Sequence, residues 1–244
     1  MKAVYENHYL GDRDVANYAR HSFAKLAENY TEEQNNSLIQ FLGRGMKTAD
    51  WDALIKTMLT GIKTKEEAHK LARYLRKIPE HWVPFGHPHI TLRMSAPVPI
   101  ARQAFKHKIG YVESEESRRY ITSKPEFFIP KYFRAAAEDV KQGSSNDPHH
   151  RSDYWLNEYK QAAEQSISRY LAAIDEGVCP EQARFFLIQG IEVNWVWTGS
   201  LYAYSQAYIA RSDDHAQQEI QDLFADVDAI IRPLDPVSWA ALVD

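Results

Sequence analysis

Lys106 to Tyr120, reading KHKIGYVESEESRRY, packs charged, hydroxyl and aromatic side chains into one short segment. Lys106, His107 and Lys108 are three consecutive potential cations. Consecutive residues cannot share one helix face, so a ligand gripped at a helix end suits them better than a helix surface does. Ser117 and Arg119 set a hydroxyl and a forked cation two residues apart. That pairing fits a phosphate: guanidinium gives bidentate charge-assisted bonds, and the hydroxyl and neighbouring backbone N–H groups complete a cradle. A solvated basic turn would read the same way from motif chemistry alone.

Working outward, Ile90, Leu92 and Met94 alternate with polar residues, which predicts a half-buried strand ended by Pro97. Pro99 is placed to open a helix carrying Gln103 to Lys108. Nearer the N-terminus, Lys2–Tyr5 reads as a short strand followed by a turn at Gly11. Asp12 is expected to cap a helix with Val15, Tyr18, Ala19, Phe23 and Leu26 at helical spacing. Thr31 with Gln34, and Thr64 with Glu67, have the spacing of capping boxes. They open helices ending near Gly43 and spanning Lys65–Lys77, the second stopped by Pro79, with another helix around Trp51–Leu59. Downstream, 141–150 (KQGSSNDPHH) is a loop. A long helix is expected over Tyr154–Glu176 with Gly177 at its C-terminal end, and a short one from Pro180 through Arg184. Val193, Trp195 and Trp197 alternate as a strand. Helices over Leu201–Arg211 and His215–Ile231 close the chain, with Pro233 ending the last. Strands and helices without regular βαβ alternation give an α+β class.

The 244 residues are 44% hydrophobic and 12% aromatic, enough for a sizeable core. A net charge of −4 disfavours a general nucleic-acid binder. The lone Cys179 excludes an intramolecular disulfide and a Cys-rich zinc site. The N-terminus has no signal-peptide core, and no run is long and apolar enough for a membrane span, so a cytoplasmic setting is expected. His87 and His89 have metal-pair spacing but no acidic or Cys ligand nearby, so no metal site is expected. His149 and His150 sit in the loop. Trp195, Trp197, Tyr204 and Tyr208 read as core. Arg211 and His215, four apart, could pair with Asp213 or Asp214, and Arg184 could be a surface ion-pair residue.

The segment resembles the signature RHRxxSxNExSxRY of the flavin-dependent thymidylate synthases, with Glu115, Ser117, Arg119 and Tyr120 on its E, S, R and Y and one extra residue between the halves. Five further blocks occur in order along the chain. GDRDVANYARHSF resembles the family's GDxxVxxAARxSF opening, with Arg20 and Ser22 in register. His81-Trp-Val-Pro-Phe-Gly-His87 is similar to HxSPFEH, and Pro99–Gln103 (PIARQ) to P-I-x-x-A-R-Q. PEQAR (Pro180–Arg184) matches ExAR, and Arg211–Gln221 matches R-x-D-x-HAQ-x-EI. The chain is identified as a divergent, phage-like or bacterial member. The stretch Met46–Ile78 has no counterpart and reads as a helical insertion in one domain, 1–244.

The resemblance implies a mixed sheet flanked by long helices, and a homotetramer whose active sites lie at subunit interfaces. It implies reductive methylation of dUMP to dTMP with FAD, NADPH and 5,10-methylenetetrahydrofolate, without membrane or nucleic acid. The same scaffold could instead make 5-hydroxymethyl-dUMP or 5-methyl-UMP, or bind nucleotide without catalysis. By position, Gln103, Ala104, Phe105, Lys106, Glu115, Glu116, Ser117, Arg118 and Arg119 would hold the nucleotide, Ser117 and Arg119 near its phosphate. Arg184 would reach that phosphate from a neighbouring subunit. Arg211 would bind the pyrimidine and favour its ionisation, the catalytic role. His81, Val83, Lys106, His107, Lys108, Glu115, Ser200, Tyr202, Gln206 and His215 would contact the flavin. Lys106, Lys108, Ser114, Val83, Tyr202 and Gln206 depart from the family's residues, mostly on the flavin side.

Overall fold

A computed structural model describes residues 1–75, 81–137 and 145–244. Four strands, β1 (Lys2–Tyr9), β2 (His89–Pro97), β3 (Tyr111–Glu115) and β4 (Glu192–Ser200), form one sheet in the order β1-β2-β4-β3. Thr91 bonds Thr198 and Ser95 bonds Glu192, so β2 and β4 run antiparallel. Tyr111 stacks on Trp197 while Glu116 N–H donates to Asn194 O, which makes β3 antiparallel to β4 as well. The expected α+β class holds.

Two compact units divide the chain, each built from three stretches. The first comprises Met1–Glu6, Thr91–Thr198 and Ala207–Asp228, and contains most of the sheet. Its core follows from the alternation seen in the sequence: Leu92, Met94, Trp195 and Trp197 are buried, as are Ile220, Phe224 and Val227 from the last long helix. Phe105 meets Trp195 edge-on at 5.1 Å, and Trp197 meets Phe224 the same way at 6.3 Å. The helices here are α5 (Val98–Ala104), the 24-residue α6 (Ser152–Asp175), the short α7 (Pro180–Ala183), and parts of α8 (Leu201–Arg211) and α9 (Gln218–Leu234). Gly177, at φ +87°, turns the chain out of α6 in a conformation L side chains resist.

The second unit comprises Asn7–Ile90, Gly199–Gln206 and Ala229–Asp244. It holds α1 (Asp12–His21), α2 (Glu32–Arg44), α3 (Thr48–Thr60), α4 (Lys65–Leu75) and α10 (Pro236–Val243). Both expected capping boxes form, Thr31 with Gln34 and Thr64 with Glu67. Arg20 is consumed structurally: its Nε donates to Asn35 Oδ1 at 2.9 Å and its guanidinium lies 3.5 Å from the centre of the Tyr30 ring. The region expected as an insertion is helical, and α3 buries none of its residues. Residues 76–78 of that region, the stop at Pro79 and positions 141–144 of the expected loop lie outside the described residues.

Several expectations are corrected. The N-cap of α1 is Gly11, and Asp12 instead caps α10, accepting from the N–H groups of Val237 and Ser238 at 2.9 and 2.8 Å. Phe23 and Leu26 fall beyond α1 and are exposed. The helix after Pro97 ends at Ala104, so Lys106–Lys108 follow it rather than ride on it. The last long helix starts at Gln218, because Asp213 takes the N–H of His215 on its side chain and that of Ala216 on its carbonyl. Pro233 lies inside α9: in a last turn it removes one bond where the chain is about to bend, and α10, absent from the sequence reading, follows.

Candidate active site

The end of α8 brings Arg211 back to the residues following α5. Its Nε donates to His107 Nε2 at 2.9 Å and its Nη2 to the carbonyl of Gln103 at 3.0 Å. Since His107 Nε2 accepts, its proton sits on Nδ1 and the ring is neutral. Burial, then the adjacent Arg211 charge, lowers the His107 pKa below its ordinary value. Burial likewise lowers the pKa of Arg211 below its ordinary value. The Gln103 side chain bonds Gln217 at 2.7 Å, tying the segment to the start of α9. Arg211 therefore binds neither Asp213 nor Asp214 but stands as a half-buried cation clamped by a carbonyl and an imidazole.

A cavity of about 730 Å³ opens elsewhere on the same unit. Arg102, Glu115, Glu116, Ser117, Arg118 and Arg184 supply its polar wall. Phe185, Leu187, Ile191 and Val193 are among its apolar lining. Helix α6 sets this wall. Ser166 Oγ donates to Phe186 O at 2.9 Å and accepts from Ile188 N–H at 3.2 Å, which fixes the segment after Arg184. Tyr170 Oη donates to Ile121 O at 3.0 Å, which holds the turn after Arg118. Burial raises the pKa of Glu115, with Arg184 opposing it. Glu116 accepts from Asn194 at 3.0 Å.

Arg184 lines the cavity with Glu115 and Ser117 of its own chain. Arg119 pairs with Glu181 and does not line the cavity; Arg118 does. Ala104 and Phe105 are spent on packing: Ala104 is fully buried and Phe105 faces Trp195. Lys106 is exposed, and Lys108 pairs with Glu113.

Most of the remaining expected positions belong to the second unit. Trp82 and Tyr202 have ring centres 5.5 Å apart with their planes tilted by 35°, and Trp82 and Val83 are both more than half exposed. His81 is exposed and stacks on Phe41, and Gln206 lies exposed one helical turn after Tyr202. Ser200 is buried and caps α8, its Oγ accepting from Ala203 N–H at 3.2 Å. His215 is exposed in the first unit. His87 stacks on Tyr18, and His89 bonds the His87 carbonyl. Among the described residues no group of His, Cys, Asp and Glu is spaced to hold a metal ion.

The fold is α+β, with a cavity lined in part by arginines and an arginine clamped by His107 and the Gln103 carbonyl. The family model described as thymidylate synthase complementing protein matches residues 7–237. The flavin-dependent thymidylate synthase of Thermosipho africanus is 32% identical over 184 residues, covering 75% of this chain and 80% of that protein. That of Thermosipho melanesiensis is 30% identical with the same coverage of 75% and 80%. The solved UMP/dUMP methylase PolB from Streptomyces cacaoi, bound with 5-Br dUMP, shares the fold at a TM-score of 0.75 and 20% identity, covering 98% of this chain and 93% of that one. The chain belongs to the flavin-dependent thymidylate synthase family, a family of enzymes.

Proposed function

We propose that the protein catalyses reductive methylation of dUMP to dTMP with FAD, 5,10-methylenetetrahydrofolate and NADPH. It does so as a cytoplasmic homotetramer with active sites at subunit interfaces, residues 1–244 forming one family domain. The observation that carries the reading is Arg211, held by His107 and the Gln103 carbonyl where the family motif places the pyrimidine-binding arginine. Attack from C5 of uracil requires electron density in the ring, and density is greatest when N3 has lost its proton. A preorganised cation at the ring's edge stabilises that anion without reorganising in the transition state. Neutral His107 and the Gln103 carbonyl both accept from Arg211, so they orient the guanidinium without neutralising it. The phosphate belongs in the arginine-lined cavity, with Ser117 as a hydrogen-bonding ligand rather than a nucleophile.

Reduced FAD, when bound, supplies the hydride, and the folate supplies the carbon. By the family resemblance, His81, Val83, Lys106, His107, Lys108, Glu115, Tyr202, Gln206 and His215 are the positions that would contact the flavin. Ser200, occupied in capping α8, would act through its hydroxyl hydrogen alone.

A second reading, methylation of UMP, is favoured by the structural likeness to PolB, also solved with 5-Br UMP at a TM-score of 0.72. The test is anaerobic incubation of purified protein with FAD, NADPH, methylenetetrahydrofolate and either dUMP or UMP, with products identified by mass spectrometry. dTMP from dUMP supports the proposal. 5-Methyl-UMP or 5-hydroxymethyl-dUMP moves the assignment to that product, and unchanged nucleotide with reduced flavin present refutes catalysis.

A further inference from the structure

The cavity is lined by three guanidinium groups, and two of them already have work. Arg118 donates to the carbonyl of Ser123, and Arg184 donates through Nε to the carbonyl of Glu181 at 3.3 Å. Arg119, the cation the family motif designates, is outside the lining and engaged by Glu181. Arg102 is the exception. It occupies the last turn of α5, lines the cavity, and has no hydrogen bond or ion pair among the described residues. All five of its N–H donors are available there, in the fork geometry that matches a phosphate.

Charge points the same way. A phosphate monoester carries close to two negative charges at neutral pH. Glu115 and Glu116 share the cavity wall and repel an anion; Glu116 is partly engaged by Asn194. Arg118 and Arg184 offset those two carboxylates, which leaves no surplus positive charge for an incoming phosphate. Arg102 supplies it. We propose that Arg102 is the principal phosphate-binding residue of this cavity, making a bidentate contact to the 5′-phosphate of a nucleoside monophosphate alongside the Ser117 hydroxyl. The proposal rests on the reading that this cavity takes the nucleotide.

Titration calorimetry on the purified full-length protein tests it, with dUMP, deoxyuridine and inorganic phosphate as probes. Arg102→Gln keeps the polar stem and removes the charge, and Arg102→Lys keeps the charge without the fork. Arg93→Gln, which removes an exposed arginine paired with Glu6 at 3.0 Å outside the cavity, is the control. Losing a charge-assisted bidentate contact should weaken dUMP by about 10- to 100-fold in Arg102→Gln. Arg102→Lys should fall between, Arg93→Gln should bind as the unaltered protein does, and inorganic phosphate should cease to compete in Arg102→Gln. Equal dUMP affinity in Arg102→Gln and the unaltered protein overturns the assignment while leaving the proposed reaction intact. Equal loss of dUMP and deoxyuridine binding also overturns it, because the residue would then act on the site's shape and not on phosphate. If the unaltered protein ignores dUMP yet binds inorganic phosphate through Arg102, the assignment stands and the nucleotide reading fails.

Discussion

Replacing Gly190 by alanine should be among the most damaging small changes in the first unit, and the structure says through which partner. A methyl group on Gly190 would overlap the Tyr159 hydroxyl and lie 2.9 Å from the ring carbon that bears it. That hydroxyl donates to the carbonyl of Phe128 at 2.9 Å, and Phe128 N–H in turn donates to the Gly190 carbonyl at 3.0 Å. Burial raises the pKa of Tyr159, which keeps the phenol a neutral donor. Gly190→Ala must displace the ring and break that bond, costing about 1–3 kcal/mol for the overlap and about 1 kcal/mol for the hydrogen bond. Tyr159→Phe alone removes only the hydrogen bond, for about 1 kcal/mol. In the double variant the overlapping oxygen is gone and the added methyl meets only the ring, at 2.9 Å, so the ring must still move but by less than the hydroxyl demanded. Gly190→Ala should therefore cost about 1–2 kcal/mol less in the Tyr159→Phe background than in the unaltered protein. Urea unfolding of the four proteins measures this, with unchanged denaturant dependence as the check that one transition is being compared. Additive costs within about 0.5 kcal/mol would show that Tyr159 is not what excludes a side chain at 190. Because Gln189 and Ile191 line the anion cavity, the single variant should also weaken dUMP binding, and the double variant should recover it.

Four further outcomes are expected. Arg211→Ala should abolish turnover, by about 100-fold or more if the guanidinium stabilises a ring anion, while mass and oligomeric state by light scattering stay unchanged; retained activity removes the role. His107 has a lowered pKa, so the unfolded chain takes up its proton first on acidification. Stability should thus fall as pH drops below 6.5 and level off past the lower folded pKa, and His107→Asn should flatten that limb of a pH-dependent melt. Asp235 moves the other way: burial and then the nearby Asp12 charge push its pKa up to about 7, from an ordinary 3.8. Its contribution is full below 3.8 and lost as pH rises through about 7, with an upper bound of about 4 kcal/mol, so Asp235→Asn should stabilise the protein at pH 8 and change little below pH 3.8. Asp12→Ala should destabilise it by about 1–2 kcal/mol by uncapping α10, with a melt showing the same loss whether or not α1 is reinforced by other substitutions.

Local rules written in a few adjacent residues were legible in the sequence. The alternation of Leu92 with Met94 and of Trp195 with Trp197, and the two capping boxes, need only near neighbours to take effect. The motif residues were legible as types for the same reason, since a phosphate or a pyrimidine anion selects for arginine and hydroxyl whatever fold presents them. Direction was not legible. Asp12 sits at a helix start and would satisfy its own N-terminus, yet α10 arrives more than two hundred positions later and takes its carboxylate. Arg102, Arg118 and Arg119 are alike on paper. Only the packing of α6 against the 184–188 segment, with Glu181 drawing Arg119 away, decides which guanidinium groups line the cavity. Composition and short-range spacing set which elements form and which chemistry is available; long-range closure, which no local pattern encodes, set where each side chain points.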